Sequence, residues 1–114
     1  MKKANIIELK MSPVGPFYTY NDEAAFFGWL DKITCIKGYE GIGTTLFIHV
    51  YASRVNMPQL LELIGVFIRY EIDCKQLAVF DNPKLKGKFR NRKAYWYKHV
   101  FGKKSSKKSN KKPR

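Results

Sequence analysis

The sequence predicts an α+β fold: a single small domain, a small antiparallel sheet packed by two main helices, and a disordered basic C-terminal tail. Three observations carry this reading. Apolar residues recur at helical spacing from Asn56 to Asp73, leaving a narrow polar strip of Gln59, Glu62, Arg69 and Glu71. Thr44–Tyr51 is β-branched and aromatic, with side chains assigned alternately to two faces. Beyond Asp81 the chain carries fourteen Lys and Arg and no acid.

At 114 residues the chain supports one domain with a modest core, and 45% hydrophobic with 15% aromatic content is too apolar for disorder. Residues 1–102 read as the globular part and 103–114 as a Lys-rich tail without an apolar residue. The net charge of +13 is unevenly placed. Eight basic and nine acidic residues leave 1–81 at −1, while 82–114 stand at +14. Any argument from charge therefore concerns the last 33 residues.

In chain order, residues 4–11 read as a short strand and Ser12–Pro16 as a break. Phe17–Tyr20 reads as a brief extended return whose aromatics cover the core. Asn21 is expected to cap a helix, with Asp22 and Glu23 in its first turn and Phe26, Phe27, Leu30 and Ile33 on its buried face. That helix should end near Ile33 or Thr34. Lys37–Gly43 reads as a glycine-rich turn; its Gly38-Tyr39-Glu40-Gly41 matches an RNA-binding GxxG loop only formally, because no second helix follows. Thr44–Tyr51 is expected to be central and covered on both faces, with His49 packed and hydrogen-bonded.

The Asn56–Asp73 helix should be capped by Asn56, with Gln59 completing a capping box and Pro58 in the first turn. Its apolar run is shorter than the roughly 20 residues of a membrane span and holds Glu62 and Arg69. Asp73 can cap a shorter helix to Phe80, with a strand over Gln76–Phe80 as the alternative. Lys84–Lys93 reads as a basic loop on two apolar anchors. Ala94–Phe101 suits a helix between Asn91 and Gly102, or a strand; helix is the preferred reading.

No catalytic, metal or cofactor constellation is recognisable. The two histidines stand fifty residues apart, and Cys35 and Cys74 lack metal-ligand or disulfide-framework spacing. Glu8 interrupts any signal-peptide core, so a reduced, cytoplasmic, non-enzymatic protein is expected. Binding remains. The basic third interleaves cations with Phe89, Tyr95, Trp96 and Tyr97, which suits phosphate neutralisation and base stacking in an RNA- or DNA-binding module. The tail adds the prospect of non-specific nucleic-acid contact.

A second reading comes from likeness. Glu62–Phe80 and Tyr95–Phe101, extended by Phe26-Phe27-Gly28-Trp29-Leu30-Asp31-Lys32-Ile33 and Gly41–Leu46, resemble small bacterial immunity proteins over roughly residues 22–102. The resemblance implies protection of a cell by binding the C-terminal toxin domain of a contact-dependent growth inhibition or related polymorphic toxin system, often a nuclease. It implies a 1:1 complex that occludes the toxin's active site or a neighbouring surface. The chain's charge would suit an acidic toxin surface. The expected contact residues are Lys84, Lys86, Lys88, Arg90, Arg92, Lys93, Tyr95 and His99, because arginine and aromatic residues are enriched at interface hot spots.

Overall fold

The computed structural model describes residues 5–102, so the expected tail at 103–114 lies outside the described residues. The architecture is a small α+β domain. Strands β1 (Ile6–Met11), β2 (Ile36–Ile42) and β3 (Thr45–Tyr51) form one antiparallel sheet in the order β1-β3-β2. Helices α1 (Tyr20–Lys32) and α2 (Met57–Arg69) supply most of the remaining core, and a short α3 (Tyr97–Phe101) follows a basic segment of turns.

β3 is central, as its composition predicts, but among the described residues only one of its faces is covered. Leu46, Ile48 and Val50 are buried, whereas Phe47, His49 and Tyr51 remain partly exposed. Leu9 and Met11 of β1 lie beside Ile48 and Leu46 on the covered face. The described residues hold two main helices, enough to cover a three-stranded sheet on one side only. The expected glycine-rich turn is instead most of β2, bulged between Ile36 and Gly38. The reversal is made by Gly43 and Thr44, between the paired residues Ile42 and Thr45. Gly43 has φ +62 at the first loop position, where a two-residue hairpin favours glycine.

α1 begins two residues earlier than expected, because Thr19 and not Asn21 is the cap. Thr19 Oγ1 accepts from the Asp22 amide at 3.0 Å, and Asp22 Oδ2 accepts from the Tyr18 amide at 3.0 Å. That capping commits Tyr20 to the helix, so Phe17–Tyr20 forms no strand. Phe17 does cover the core, 5.3 Å from the Phe26 ring, but Tyr18 and Tyr20 are 86% and 80% exposed.

Asn56 caps α2 as predicted, accepting from the Gln59 amide at 3.0 Å. Gln59 does not complete a capping box: its side-chain oxygen accepts from the Cys35 amide at 3.0 Å and ties α2 to the entry of β2. α1 and α2 approach closely at Gly65, where an added Cβ would meet the Trp29 ring at 3.2 Å. The Trp29 indole N–H donates to Glu62 across the same contact at 2.9 Å.

α2 ends at Arg69, short of the expected Asp73. The Glu71 amide donates to Ile68 and the Ile72 amide to Phe67, at 3.2 and 2.8 Å, with Glu71 left-handed at φ 60. This is the Schellman pattern, with glutamate where glycine is usual. Ile72 is thereby buried against the core. The following Cys74–Phe80 is the shorter helix expected after Asp73, which caps it, but it is wound as a 3-10 helix; the alternative strand does not form. Its Gln76 brackets the backbone of Lys10, accepting from its N–H at 2.8 Å and donating to its C=O at 2.7 Å. One side-chain amide thus imitates a neighbouring strand and closes part of the β1 edge.

A left-handed non-glycine costs about 1–2 kcal/mol. Glu71→Gly should therefore hold or raise stability by up to about 1 kcal/mol, whereas the β-branched Glu71→Val should lower it by about 1 kcal/mol or more. Urea midpoints with unchanged m-values check both.

Candidate interaction surface

The basic segment is built on apolar pegs. Asn82 opens it by accepting from the Lys84 amide at 2.8 Å, which forms the 3-10 turn Pro83–Leu85. Lys86 and Gly87 then take positive φ values of 55 and 78 and swing the chain back. Leu85 and Phe89 are buried, as the two-anchor reading requires. Trp96 is buried too, and its indole N–H donates to the Phe89 carbonyl at 2.7 Å. Asn91 accepts from the Lys93 amide at 3.0 Å; it caps a turn and not the helix, which starts only at Tyr97 after Trp96. Lys75 Nζ donates to the Lys98 carbonyl at 3.0 Å, joining α3 to the 3-10 segment.

All eight expected contact residues are exposed on this pinned segment: Lys84, Lys86, Lys88, Arg90, Arg92, Lys93, Tyr95 and His99. Arg90 differs from the rest. Its Nε lies 2.9 Å from Asp81 Oδ2 and its guanidinium 4.2 Å from the Phe101 ring centroid. The hydrogen bond to Asp81 pushes its proton affinity above the ordinary value. Arg90 therefore holds the segment in place. The aromatics divide in the same way: Phe89 and Trp96 are core, Tyr97 leans on Phe101 at 5.4 Å, and Tyr95 alone projects, 66% exposed.

Two further surfaces were not legible as sites in the sequence. One is an open cleft of about 1350 Å³ between the end of β1, the Pro13–Pro16 loop, the start of α1 and the end of α2. Exposed Tyr18 lines it, and Tyr20 lies beside that lining in the chain. Its charges balance, with Lys10, Arg69 and Lys75 against Asp22, Glu71 and Asp73. The other is the uncovered sheet face. There Lys10 Nζ lies 5.7 Å from the Phe47 centroid and the Arg54 guanidinium 4.3 Å from that of Tyr51. Between them, His49 Nε2 is 3.2 Å from Glu8 Oε2, so His49 has a hydrogen-bonding partner but is not enclosed.

Cys35 and Cys74 are buried free thiols, each pushed up to about 11 chiefly by burial; Asp73 adds to the shift at Cys74. Burial and the 2.7 Å hydrogen bond to Asp31 push Tyr39 up to about 12. Among the described residues, no three His, Cys, Asp or Glu side chains gather as a metal site. No helix there is long and apolar enough to cross a membrane. No family model, curated protein or solved structure matches the chain.

Arg90→Ala should lower the melting temperature, whereas Lys84→Ala, Lys86→Ala and Lys88→Ala should leave it unchanged. Differential scanning fluorimetry distinguishes the peg from the free lysines. Both thiols should resist a thiol reagent at pH 8 until the chain is unfolded. Because the fold favours the neutral thiols, their contribution is complete below pH 9 and lost as pH rises through about 11. Equilibrium unfolding across pH 8–11 should show that fall, reduced in Cys35→Ala.

Proposed function

We propose that the chain is a non-enzymatic inhibitor that binds a cognate toxin domain in the cytoplasm as a 1:1 complex. The observation that carries this reading is the exposed strip Lys84–His99, anchored by Leu85, Phe89, Trp96 and Val100. A loop held by buried pegs loses little conformational entropy on docking, so its contacts translate more fully into affinity. Tyr95 is the projecting aromatic anchor, and Lys84, Lys86, Lys88, Arg92, Lys93 and His99 surround it with positive or protonatable groups. The likeness of residues 22–102 to bacterial immunity proteins supplies the partner class.

Inhibition in this proposal is steric. The strip meets an acidic or mixed-charge surface at or beside the toxin's active site, and Tyr95 packs into it while substrate is kept out. The lysines chiefly raise the rate of encounter. The alternative is a nucleic-acid module on the same strip, favoured by its freedom from acidic residues between 82 and 102. It has one projecting aromatic there, which limits base stacking.

Co-expression with a candidate cognate toxin domain should restore growth and give a 1:1 complex by size-exclusion chromatography. Tyr95→Ala should weaken the complex at least tenfold by slowing neither folding nor encounter but speeding dissociation. Lys86→Glu with Lys88→Glu should mainly slow association, with the difference shrinking in high salt. Persistent toxicity with fully expressed, folded inhibitor would reject the proposal.

A further inference from the structure

The sequence joins cations with base-stacking rings in the basic strip; the fold separates the two. Phe89 and Trp96 are buried and Tyr97 leans on Phe101, so among the described residues of the strip only Tyr95 projects as a ring. The cations are placed the other way. Burial of Leu85, Phe89, Trp96 and Val100 turns the residues between them outward. Lys84, Lys86, Lys88, Arg92, Lys93 and Lys98 are exposed, and among the described residues none of them has an ion-pair partner. Residues 82–102 hold no acid, and the preceding Asp81 is occupied by Arg90 at 2.9 Å. Lys75 adds a cation at the flank, its Nζ 3.0 Å from the Lys98 carbonyl.

What remains is a pinned row of free point charges, able to neutralise phosphates but poorly equipped to stack on bases. A duplex fits that row better than a single strand. It carries one charge per about 1.7 Å of axis and releases condensed counterions as lysines bind. Lysine contacts to phosphate fix position without reading sequence or sugar. An interfacial membrane site would need exposed apolar side chains beside the cations, and here Leu85, Phe89 and Trp96 are buried in the core. We propose that the strip is a binding site for the phosphate backbone of double-stranded nucleic acid, held by Lys84, Lys86, Lys88, Arg92 and Lys93 without regard to sequence or sugar. The inhibitor proposal turns on Tyr95, whereas this one turns on the cations. Duplex binding is read without a toxin, so either proposal can fail alone.

The test uses the full chain and a fluorescein-labelled DNA duplex of roughly 20 base pairs, titrated by anisotropy from about 50 to about 200 mM salt. Affinity should fall steeply with salt, and a scrambled DNA duplex or an RNA duplex should bind within about threefold of the first. A single strand of equal length should bind at least about threefold more weakly. Two double variants then remove equal charge from different places. Lys86→Gln with Lys88→Gln should weaken binding at least about fivefold at the lower salt and reduce the slope of log K against log salt by about 1–2. Lys32→Gln with Lys37→Gln, exposed on α1 and β2, should stay within about twofold of the parent. Equal losses in the two folded pairs would overturn the proposal, since affinity would then follow net charge and not this strip. A full-length variant with the seven cations of residues 103–114 changed to Gln separates the strip from the rest of the basic third. Adding Lys86→Gln and Lys88→Gln in that background should again cost about fivefold. Abolished binding there, or no further loss, would overturn the proposal. So would a single strand that binds as tightly as the duplex. Displacement of the duplex by polyglutamate or by phosphatidylserine vesicles, charge for charge as effective as unlabelled duplex, would likewise overturn it.

Discussion

One constraint shapes the molecule: a three-stranded sheet has two faces, and among the described residues the helices cover one. Leu46, Ile48 and Val50 are sealed under α1 and α2, with Leu9 and Met11 beside them. Burying an aliphatic side chain contributes about 1.5–3 kcal/mol, so this alternate set on β3 decides which way the whole sheet faces. Register follows from it, because a one-residue slip would put Phe47, His49 and Tyr51 under the helices and expose the aliphatics. The open face is the necessary complement of the closed one. Its cross-strand pairs, Glu8 with His49 and Lys10 with Phe47, stabilise the sheet without any covering layer.

The same constraint explains how the C-terminal third belongs to the domain. A sheet this narrow is mostly edge, and Gln76 blocks β1 by pairing with the Lys10 backbone. The segment that delivers Gln76 also buries Leu77 and Phe80, and α3 packs on it. The polar bridge and the apolar pegs thus act together. Residues 82–102 have no acid to offset their seven cations, yet Leu85, Phe89, Trp96 and Val100 hold them against the core. The local repulsion is relieved chiefly at Arg90, where Asp81 and the Phe101 ring both meet the guanidinium.

What could be read in advance follows periodicity. α2 was legible in its apolar spacing and its Asn56 cap, β3 in its alternation, and the basic strip in composition alone. The end of α2 was not, because its stop signal is a left-handed Glu71, a residue type without glycine's backbone freedom. β2 was hidden for the opposite reason: Gly38 and Gly41 suggest a turn, while pairing with β3 keeps them extended. Tertiary hydrogen bonding also overrode local pattern at Gln59, which serves Cys35 and not its own helix. The cleft and the sheet face could not be read locally, because each assembles residues from distant segments, such as Lys10 with Arg69 and Glu8 with His49.

The division of labour among the cations bears on how any partner is discriminated. Of the two guanidiniums in the basic strip, Arg90 is engaged with Asp81, which leaves Arg92 and a set of lysines facing solvent. Lysine is a strongly hydrated point charge on a flexible stem, without the planar fork that gives arginine its geometric selectivity. Such a strip attracts anions over a range near the Debye length, about 8 Å at physiological salt, but distinguishes poorly among them. Discrimination must therefore come from groups with shape. The structure offers these as rings: Tyr95 standing out from the strip, Tyr18 at the cleft, and the Phe47–His49–Tyr51 row on the sheet. In the proposed complex charge would gather the partner and the rings would select it, so recognition would depend less on the number of lysines than on which rigid surface lies beside them.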